Sequence, residues 1–313
     1  MNLNMIRRKI PYIVIFMFIG LLLTLGIEQC SATEIIDHDG NVHRFKQPCR
    51  KIISLYPAHT ENLFEMGGAD TLIGISTSDT LPNGINEIRR FSYHDSAEKF
   101  IAAAPDCILI RPMISHTAPN LVKKLQKYGI SVISLQPTSS SDLYSYWHTL
   151  GLISGRIQEA AAMTTHFQER LDDLVRKVEV IAPEDRPRVY FESIHARMKT
   201  FSPQSIAMFC LTSAGGINVA GDAIARRQTN IAAYGKERIL SKAASIDVFL
   251  AQYGRMNRIT IDEIVNEPGF GAIKAVKDKQ VYLIAENLVS RPTPRLIEGM
   301  LQMNSLLYQD SPQ

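Results

Sequence analysis

Cysteine and tryptophan are scarce in this chain. Among its 313 residues there are four cysteines and a single tryptophan, Trp147. The cysteines show no CxxC spacing, which excludes the usual zinc sites and iron–sulfur clusters held by cysteine thiolates. Cys107 lies within an apolar run and is predicted to be a small buried hydrophobe. An exported protein can hold one disulfide, but the spacing does not indicate which of Cys49, Cys107 and Cys210 would form it.

Several catalytic and nucleotide-binding patterns are absent as well, and so is a strong charge of either sign. The chain contains no Walker A sequence, no HExxH and no GxSxG, and its Gly67-Gly68 and Gly215-Gly216 pairs indicate helix ends rather than a GxGxxG loop. These absences exclude the common nucleotide-binding, zinc-protease and serine-hydrolase sites. A formal net charge of +3 is too small to favour nucleic acid or an anionic membrane surface as a partner.

The N-terminus has the three parts of a secretory signal. A basic segment at residues 7–9 precedes an apolar run at residues 10–27, and small residues follow at 30–32. We expect cleavage after Ala32 and a periplasmic or other extracytoplasmic location. Two alternatives stay open. The apolar run can remain as a membrane anchor, or a lipid can be attached at Cys30, although the two residues before it fit a lipoprotein cleavage site badly.

A long helix is predicted over residues 153–182. Its apolar residues recur every three or four positions and make one stripe from Ile157 to Val178. Short apolar runs alternate with helical segments on both sides of it, which indicates mainly parallel sheets covered on both faces. A single helix between two such halves would set their distance and leave a cleft between them. The alternative is an ordinary surface helix within one large domain.

Seven short apolar runs are predicted as strands. Each has four or five residues and is bounded mostly by glycine, proline or polar residues. They cover residues 51–55, 72–75, 107–110, 131–135, 188–192, 246–250 and 280–284.

Together these patterns predict an α/β fold with two α/β lobes. The lobes have mainly parallel sheets and are joined by one long spine helix, with a ligand cleft between them. Residues 34–47 additionally predict a hairpin around Asp39-Gly40. The predicted order is a signal peptide (1–32), an N-terminal lobe (33–152), the spine helix (153–182), a C-terminal lobe (183–290), and a closing helix with the tail (291–313).

Five segments of the chain resemble one known family. They are RKIISLYPAHTENLFEMGGADTLIGIS (50–76), SAEKFIAAAPDCILI (96–110), LVKKLQKYGISVISL (121–135), FCLTSAGGINVAGDA (209–223) and SRPTPRLIEGM (290–300). In this order they are similar to periplasmic substrate-binding proteins of the single-helix-hinge class, which serve ABC importers of iron complexes, haem and cobalamin. The resemblance covers nearly all of residues 50–308. It implies two lobes with a ligand between them, an ABC transporter permease as partner, and no catalysis.

Candidate ligand-binding residues lie where the predicted strands end, because open α/β sheets bind ligands beyond the carboxyl ends of their strands. Arginine pairs bidentately with carboxylates, and tyrosine or histidine can ligate iron, so the residues favour an anionic, partly apolar iron complex. The resemblance also implies a cleft position for Arg291. For each residue the alternative is an ordinary surface or loop side chain, and direct metal ligation stays open. The candidates are Tyr56, Tyr93, His94, Arg111, His195, Arg197, Lys199 and Arg291.

Two glutamates are predicted to contact the permease. The resemblance implies one exposed glutamate on each lobe that docks into arginine pockets, and by motif these are Glu98 and Glu237. Residues 95–98, DSAE, also fit a capping box with Asp95 as the cap. Glu237 near a helix start is favoured by the helix dipole. The two roles are compatible because a capping carboxylate can stay exposed.

The sequence therefore predicts an extracytoplasmic solute-binding protein, not an enzyme, that delivers a ferric siderophore or haem to an ABC transporter permease. No intrinsic cofactor is expected, because the iron complex would be cargo. Cobalamin is the alternative within this class, less favoured because Trp147 alone provides few indoles to stack on a corrin. Outside the class, a chelatase-like metal-tetrapyrrole enzyme and a membrane-tethered signalling partner remain alternatives. We expect a monomer without a nucleic-acid partner.

Overall fold

The computed structural model describes residues 33–225 and 229–308. The predicted signal peptide and the lipid site considered at Cys30 lie outside these residues, and so does the tail from residue 309. None of the helices in the described ranges combines the length and the apolarity that crossing a membrane requires. The described chain forms two α/β halves, each built around its own sheet.

A two-stranded hairpin comes first. β1 Thr33–Ile36 and β2 Val42–Phe45 pair antiparallel, and Gly40 takes a φ of +82° in the turn, which confirms the prediction from Asp39-Gly40. The buried Asp37 carboxylate attaches this hairpin to the first sheet. It accepts hydrogen bonds from the backbone N–H of Ser134 at 3.2 Å and from Nε2 of His43 at 3.0 Å.

The ionised form of Asp37 is expected to stabilise the fold above about pH 4. Burial alone would raise the pKa of this carboxyl group, but hydrogen bonds from His43, Asn41 and Ser134 outweigh it and lower the pKa from 3.8 to about 2. When the pKa of a carboxyl group is lower in the folded protein than in the unfolded chain, its ionised form stabilises the fold. This stabilisation is fully present above the pKa of the unfolded state and is lost as the pH falls through the pKa of the folded state. Here this contribution is about 2 kcal/mol, lost between about pH 4 and pH 2.

We therefore expect Asp37→Asn to lower the free energy of unfolding by about 2 kcal/mol near neutral pH and by much less near pH 2. Urea denaturation of both proteins at a series of pH values measures this difference. Asp39→Asn, an exposed change in the same turn, is the control and should have little effect at any pH. A difference between wild type and Asp37→Asn that stays constant from about pH 6 to pH 2 would contradict the assignment.

The N-terminal half contains a five-stranded sheet. Its strands are β3 Ile52–Ser54, β4 Leu72–Ser76, β5 Arg90–Phe91, β6 Cys107–Ile110 and β7 Ser131–Ser134, and its helices are α1 Pro57–Glu65, α2 Ala97–Ala103, α3 Pro112–Thr117, α4 Pro119–Lys127 and α5 Leu143–Ser154. The strands pair in parallel in the order β5-β4-β3-β6-β7. Every residue of β6 is buried, as expected of a parallel strand covered on both faces. The predicted parallel sheet is confirmed.

The helix predicted over residues 153–182 is shorter in the structure, where it begins four residues later and ends three residues earlier. α5 ends at Ser154 and is followed by Gly155, whose φ of +72° is left-handed, and a new helix, α6 Ile157–Glu179, begins two residues after this glycine. Glycine adopts this conformation without the steric cost that other residues incur, and it commonly ends a helix. The spine helix is therefore α6.

The apolar stripe predicted for the spine helix is largely confirmed. Ala160, Phe167, Leu174 and Val178 are buried along one face, as their spacing indicates. Ile157, in contrast, is 45% exposed at the first position of the helix. The buried stripe therefore begins at Ala160, at the end of the first turn of the helix.

The C-terminal half contains a seven-stranded sheet. Its strands are β8 Arg188–Ile194, β9 Lys199–Phe201, β10 Ile217–Asn218, β11 Ile224–Ala225, β12 Ile231–Ala233, β13 Val248–Tyr253 and β14 Val281–Ala285, and its helices are α7 Ile206–Ser213, α8 Lys236–Ser241, α9 Ile261–Val265, α10 Lys274–Lys277, α11 Glu286–Val289 and α12 Leu296–Leu307. Strands β10, β8, β13 and β14 run parallel, whereas β9, β12 and β11 extend the sheet antiparallel. This antiparallel extension was not predicted.

One apolar cluster runs through both halves. It includes Ile52 and Trp147 in the N-terminal half, Phe167 on the spine helix, and Phe191 and Met300 in the C-terminal half, each no more than 1% exposed. Each half also has an apolar cluster of its own. Large movement of one half against the other would expose part of the shared cluster to water, which is unfavourable. The fold thus joins its two lobes by packing as well as by the chain.

Candidate functional site

A cavity of about 420 Å³ lies between the two halves. Its lining comes from the ends of β4 and β13 and from segments that follow β3, β4, β5 and β6 on one side and β13 and β14 on the other. Open α/β sheets bind ligands at this position, beyond the carboxyl ends of their strands. The lining residues are Leu55, Tyr56, Pro57, Ser76, Thr77, Ser78, Ser92, Tyr93, His94, Arg111, Met113, Ile114, Gln252, Arg255, Met256, Glu286, Ser290 and Arg291.

Tyr56 and Arg111 form one part of the N-terminal wall. The guanidinium carbon of Arg111 lies 5.0 Å from the centroid of the Tyr56 ring, a cation–π contact. Tyr56 is buried, and burial raises the pKa of its hydroxyl group. Within the described ranges no carboxylate forms an ion pair with Arg111. Its charge is therefore available to a ligand in the cavity.

His59 supports Tyr56 from behind. Its ring lies 5.1 Å from the Tyr56 ring, edge to face. The His59 ring nitrogens contact the Tyr146 hydroxyl at 2.8 Å and the Ile110 carbonyl at 3.0 Å. Burial lowers the pKa of His59 to about 4, so the imidazole is neutral at ordinary pH. The wall beneath Arg111 thus contributes no second positive charge.

Tyr93 and His94 form the second part of the N-terminal wall. Their ring centroids are 4.1 Å apart, with the planes inclined by 41°. A phenol and an imidazole side by side can pack on a flat apolar ligand or supply an oxygen and a nitrogen to a ferric ion. Within the part of the chain that the structure describes, no group of three or more His, Cys, Asp or Glu side chains is arranged to hold a metal ion.

Gln252 anchors the opposite wall. Its side chain is buried and donates to the Ser193 carbonyl at 3.0 Å, while its Oε1 accepts from the Ser290 hydroxyl at 2.8 Å. Its backbone carbonyl accepts from Nδ2 of Asn257 at 2.8 Å. Gln252 thereby connects the end of β13 to β8 and to the residue after α11.

The loop after β13 presents Arg255 and Met256 to the cavity. The Met256 backbone N–H donates to Oε2 of Glu286 at 3.1 Å. Gly254 allows this approach, because a Cβ atom there would lie only 2.4 Å from Cδ of Glu286. Glu286, the acidic residue of the lining, therefore holds the loop that carries Arg255.

Arg291 reaches the cavity from the C-terminal half and forms an ion pair with Glu61 of the N-terminal half. The next residue is also fixed across the two halves. The Pro292 carbonyl accepts from Nδ2 of Asn62 at 3.0 Å and from Nε1 of Trp147 at 3.1 Å. The segment between α11 and α12 is thus attached to α1 and α5.

The structure brings five of the eight predicted ligand-binding residues together in the cavity: Tyr56, Tyr93, His94, Arg111 and Arg291. The other three predicted residues lie outside its lining. They are His195, Arg197 and Lys199.

These three residues lie at the turn from β8 into β9. They do not reach the cavity because β8 continues through this turn into β9, with which it pairs antiparallel. His195 is buried, with Nδ1 2.9 Å from Oε2 of Glu192, and this contact raises the pKa of His195. Arg197 is exposed in the turn, and Lys199 begins β9. The structure therefore places these side chains in the β8–β9 turn and not in the cavity.

Several lining residues were not predicted. Arg255 and Met256 were missed because the strand predicted to end at Leu250 continues to Tyr253, and the rule that found Tyr56 and Arg111 would have found these two from the correct strand end. Gln252 lies inside this strand, so that rule does not select it. The remaining lining residues that were not among the candidates lie at the end of β4 or follow β3, β4, β5, β6, β14 or α11, and they are Leu55, Pro57, Ser76, Thr77, Ser78, Ser92, Met113, Ile114, Glu286 and Ser290.

Glu98 and Glu237 are exposed, each in the first turn of a helix, α2 and α8 respectively. Oε1 of Glu98 lies 2.5 Å from Nζ of Lys124. The two glutamates thus belong to different halves, as the resemblance implies. Their contact with a permease stays a prediction.

The capping box predicted at residues 95–98 is wrong. Ser96, rather than Asp95, occupies the N-cap position of α2, and its side chain makes no cap hydrogen bond. The Asp95 carboxylate instead accepts from the Ser92 backbone N–H at 2.8 Å and from Nζ of Lys99 at 2.6 Å. Asp95 therefore stabilises the loop that precedes α2 and does not cap the helix.

The scarce residue types lie away from the cavity. Cys49, Cys107 and Cys210 are buried and unpaired by disulfides, which confirms the burial predicted for Cys107. Trp147 is fully buried in the shared apolar cluster. None of these four side chains is part of the lining.

Comparison with known proteins gives one family and distant relatives. The family described as "Periplasmic binding protein" matches residues 52–288. The chain is 26% identical over 269 residues to the "Uncharacterized ABC transporter substrate-binding lipoprotein YvrC" of Bacillus subtilis, covering 85% of this chain and 82% of that one. It is 24% identical over 271 residues to the "Vitamin B12-binding protein" of Vibrio cholerae, covering 83% and 90%.

A solved structure with a similar fold comes from Staphylococcus epidermidis. It is described as a possible iron-binding, periplasmic solute-binding protein, and it superposes with a TM-score of 0.72 at 24% sequence identity. The match covers 84% of this chain and all of that one. At this identity the likeness concerns the fold alone.

Proposed function

Because the chain belongs to the periplasmic binding protein family, we propose that it is the receptor of an ABC importer and that it binds an anionic iron complex, haem or a ferric carboxylate siderophore. The observation that carries this proposal is the cavity between the lobes. Three guanidinium groups, those of Arg111, Arg255 and Arg291, line it beside the Tyr93–His94 pair. The lining contains a single carboxylate, that of Glu286. The cavity is thus positive and partly aromatic.

Each feature of the lining matches a part of such a ligand. Guanidinium groups form bidentate, charge-assisted hydrogen bonds with carboxylates, as on haem propionates or a citrate-type chelator. Tyr93 and His94 can pack on a flat ring system or ligate its iron. Met113 and Met256 add apolar surface that adapts to an irregular ligand. Delivery to a permease is supported by the ABC transporter named for the Bacillus subtilis relative.

Cobalamin is the second candidate, favoured by the name of the Vibrio cholerae relative. A corrin would need aromatic surface to stack on, and Trp147 is buried outside the lining. Tyr93 would have to supply that surface. An enzyme of the chelatase type finds less support, since the relatives are named as binding proteins.

An absorbance titration of the purified protein tests the proposal. Haem, ferric citrate and cyanocobalamin are added separately, and binding is followed by spectral change and by protection against thermal unfolding. A Soret band that saturates near one equivalent of haem, or protection by ferric citrate, supports an anionic iron complex. Saturable binding of cyanocobalamin alone would replace the proposal by its alternative. A haem spectrum that drifted with time under these conditions would indicate turnover and favour the enzyme.

Arg111→Gln is expected to weaken haem binding roughly ten- to a hundredfold. The change removes one charge-assisted hydrogen-bonding group, which contributes about 1.5–3 kcal/mol when the ligand is charged. Arg89→Gln is a matched control, because its guanidinium carbon also lies 5.0 Å from an aromatic centroid, that of Phe91, but outside the lining. Equal effects of the two variants on haem affinity would show that Arg111 does not contact the ligand.

A further inference from the structure

Glu61 is a buried carboxylate that two arginines of the other half share. It lies on α1, and its side chain is 5% exposed. One oxygen, Oε1, accepts a hydrogen bond from Nη1 of Arg291. The other oxygen, Oε2, lies 3.7 Å from Nη1 of Arg295, within ion-pair range but beyond hydrogen-bond distance. Within the described residues, each of these two atoms, Oε2 and Nη1 of Arg295, lacks a hydrogen-bond partner.

Glu61 lies behind the cavity wall and is not part of the lining. Arg291 is part of the lining, whereas Glu61 and Arg295 are not. The hydrogen bonds from Asn62 and Trp147 to the Pro292 carbonyl hold the residue next to Arg291. Arg291 therefore reaches the cavity from a fixed segment of backbone, with its guanidinium group attached to Glu61.

Two of the three lining arginines consequently differ in charge balance. Arg111 contacts an aromatic ring, and Arg291 contacts a carboxylate at its back. Because the Arg291 and Glu61 side chains are only 15% and 5% exposed, solvent screens their interaction less than it would on the surface. The Glu61 carboxylate therefore partly neutralises the positive charge of Arg291 before a ligand binds.

We propose that Glu61 acts through Arg291: it holds the Arg291 guanidinium group from behind, offsets its charge, and so sets the charge of the ligand cavity. An anionic group of the ligand has to share Arg291 with Glu61. The cavity accordingly binds anionic ligands less tightly, and discriminates less between ligands that differ only in charge, than three unopposed arginines would. This inference rests on the proposed function, since it takes the ligand to be an anionic complex held in this cavity.

A buried ion pair with a purely structural role makes a different prediction. Removing such a pair would lower stability and weaken every ligand alike. Removing a charge-setting carboxylate changes affinity according to the charge of the ligand. The test therefore needs two ligands of the same shape and different charge.

Haem and haem dimethyl ester, whose two propionates are neutralised by esterification, are the probes. Each is titrated into wild type, Glu61→Gln and Arg295→Gln. We expect Glu61→Gln to bind haem roughly tenfold more tightly, because it removes a negative charge near the ligand carboxylates, and to bind the ester as the wild type does. Arg295→Gln leaves Glu61 to Arg291 alone, so it should weaken haem binding and spare the ester. Equal changes for haem and ester in both variants would overturn the proposal.

The reactivity of Arg291 towards phenylglyoxal, a dicarbonyl reagent for guanidinium groups, gives a readout that needs no ligand. Peptide mass spectrometry should find Arg291 modified several-fold faster in Glu61→Gln than in wild type, with the exposed Arg255 unchanged. An unchanged rate at Arg291 would overturn the role of Glu61 even if haem binds. Failure of wild type to bind either probe would instead count against haem as the ligand, and the phenylglyoxal rates would still decide the role of Glu61. If Glu61→Gln does not fold, the Arg295→Gln titrations decide it, since Arg295 is one-third exposed.

Discussion

Replacing Glu98 and Glu237 together by alanine is expected to abolish uptake of the bound complex without changing its affinity. Both carboxylates are exposed and lie on different halves, and neither lines the cavity. The family resemblance implies that such a pair docks into arginine pockets of the permease. To dock, Glu98 has to break its ion pair with Lys124. Surface ion pairs of this kind contribute little to stability, so breaking this one costs little free energy.

Uptake by cells that depend on this receptor for haem or ferric citrate measures the effect, and titration of the purified double variant measures affinity. Glu65→Ala with Glu184→Ala is the matched control, since these two glutamates are also exposed and also lie on different halves. The control should transport normally. Normal transport by Glu98→Ala with Glu237→Ala would remove the docking role, and a loss of affinity would indicate that the change had disturbed the cavity.

Trp147→Ala is expected to lower the free energy of unfolding by about 3–5 kcal/mol, the usual range for emptying a large aromatic site in a core. The indole is fully buried and packs edge to face on Phe167 of the spine helix at 5.1 Å and on Tyr144 at 5.9 Å. It also donates to the Pro292 carbonyl at 3.1 Å. One side chain thus connects the N-terminal half, the spine helix and the segment that carries Arg291.

Urea denaturation, with slope and midpoint both fitted, measures this loss. Trp147→Phe is an intermediate change, because it keeps an aromatic ring in the cluster but removes the indole N–H and the part of the indole that a phenyl ring does not fill. We expect this variant to lose less than Trp147→Ala and to leave the Pro292 carbonyl with Asn62 as its donor. A loss below about 1 kcal/mol for Trp147→Ala would mean that the site collapses around the smaller side chain.

The strand that the sequence predicted with its observed bounds, β6, is one whose residues are all buried. Cys107–Ile110 is a run of apolar residues between polar neighbours, and the structure gives it the predicted bounds. β11 and β12 gave no such signal, because strands of two or three residues are too short for a period to appear. β12 is positioned by its pairing with β9, which is a long-range contact, and β11 by its pairing with β12.

Helix boundaries depended on single backbone conformations. The stripe of the spine helix was visible in the sequence, but its start was decided by Gly155 in the left-handed conformation. Asp95 has the right spacing for a cap, yet its carboxylate binds the Ser92 N–H of the preceding loop. Local sequence permits both arrangements, and the packing of the loop selects one.

Site residues could be predicted where they follow the carboxyl end of a parallel strand that leads into a loop or helix. Tyr56 and Arg111 follow such strands and line the cavity. His195 follows a strand that turns back into β9, so the same rule failed there. The partner of Arg291 was not predictable, because Glu61 lies 230 residues away and nothing in its local sequence indicates burial.

That separation also determines the order in which the native contacts can form during synthesis. The strands of the first sheet are complete once residue 134 has left the ribosome, but Glu61 then lacks both of its arginines. A carboxylate buried without a partner is unfavourable, so the first half cannot reach its final packing until nearly the whole chain has been made. The N-terminal segment predicts export, and a chain that completes its packing this late would still be incompletely folded when it reached a translocation channel.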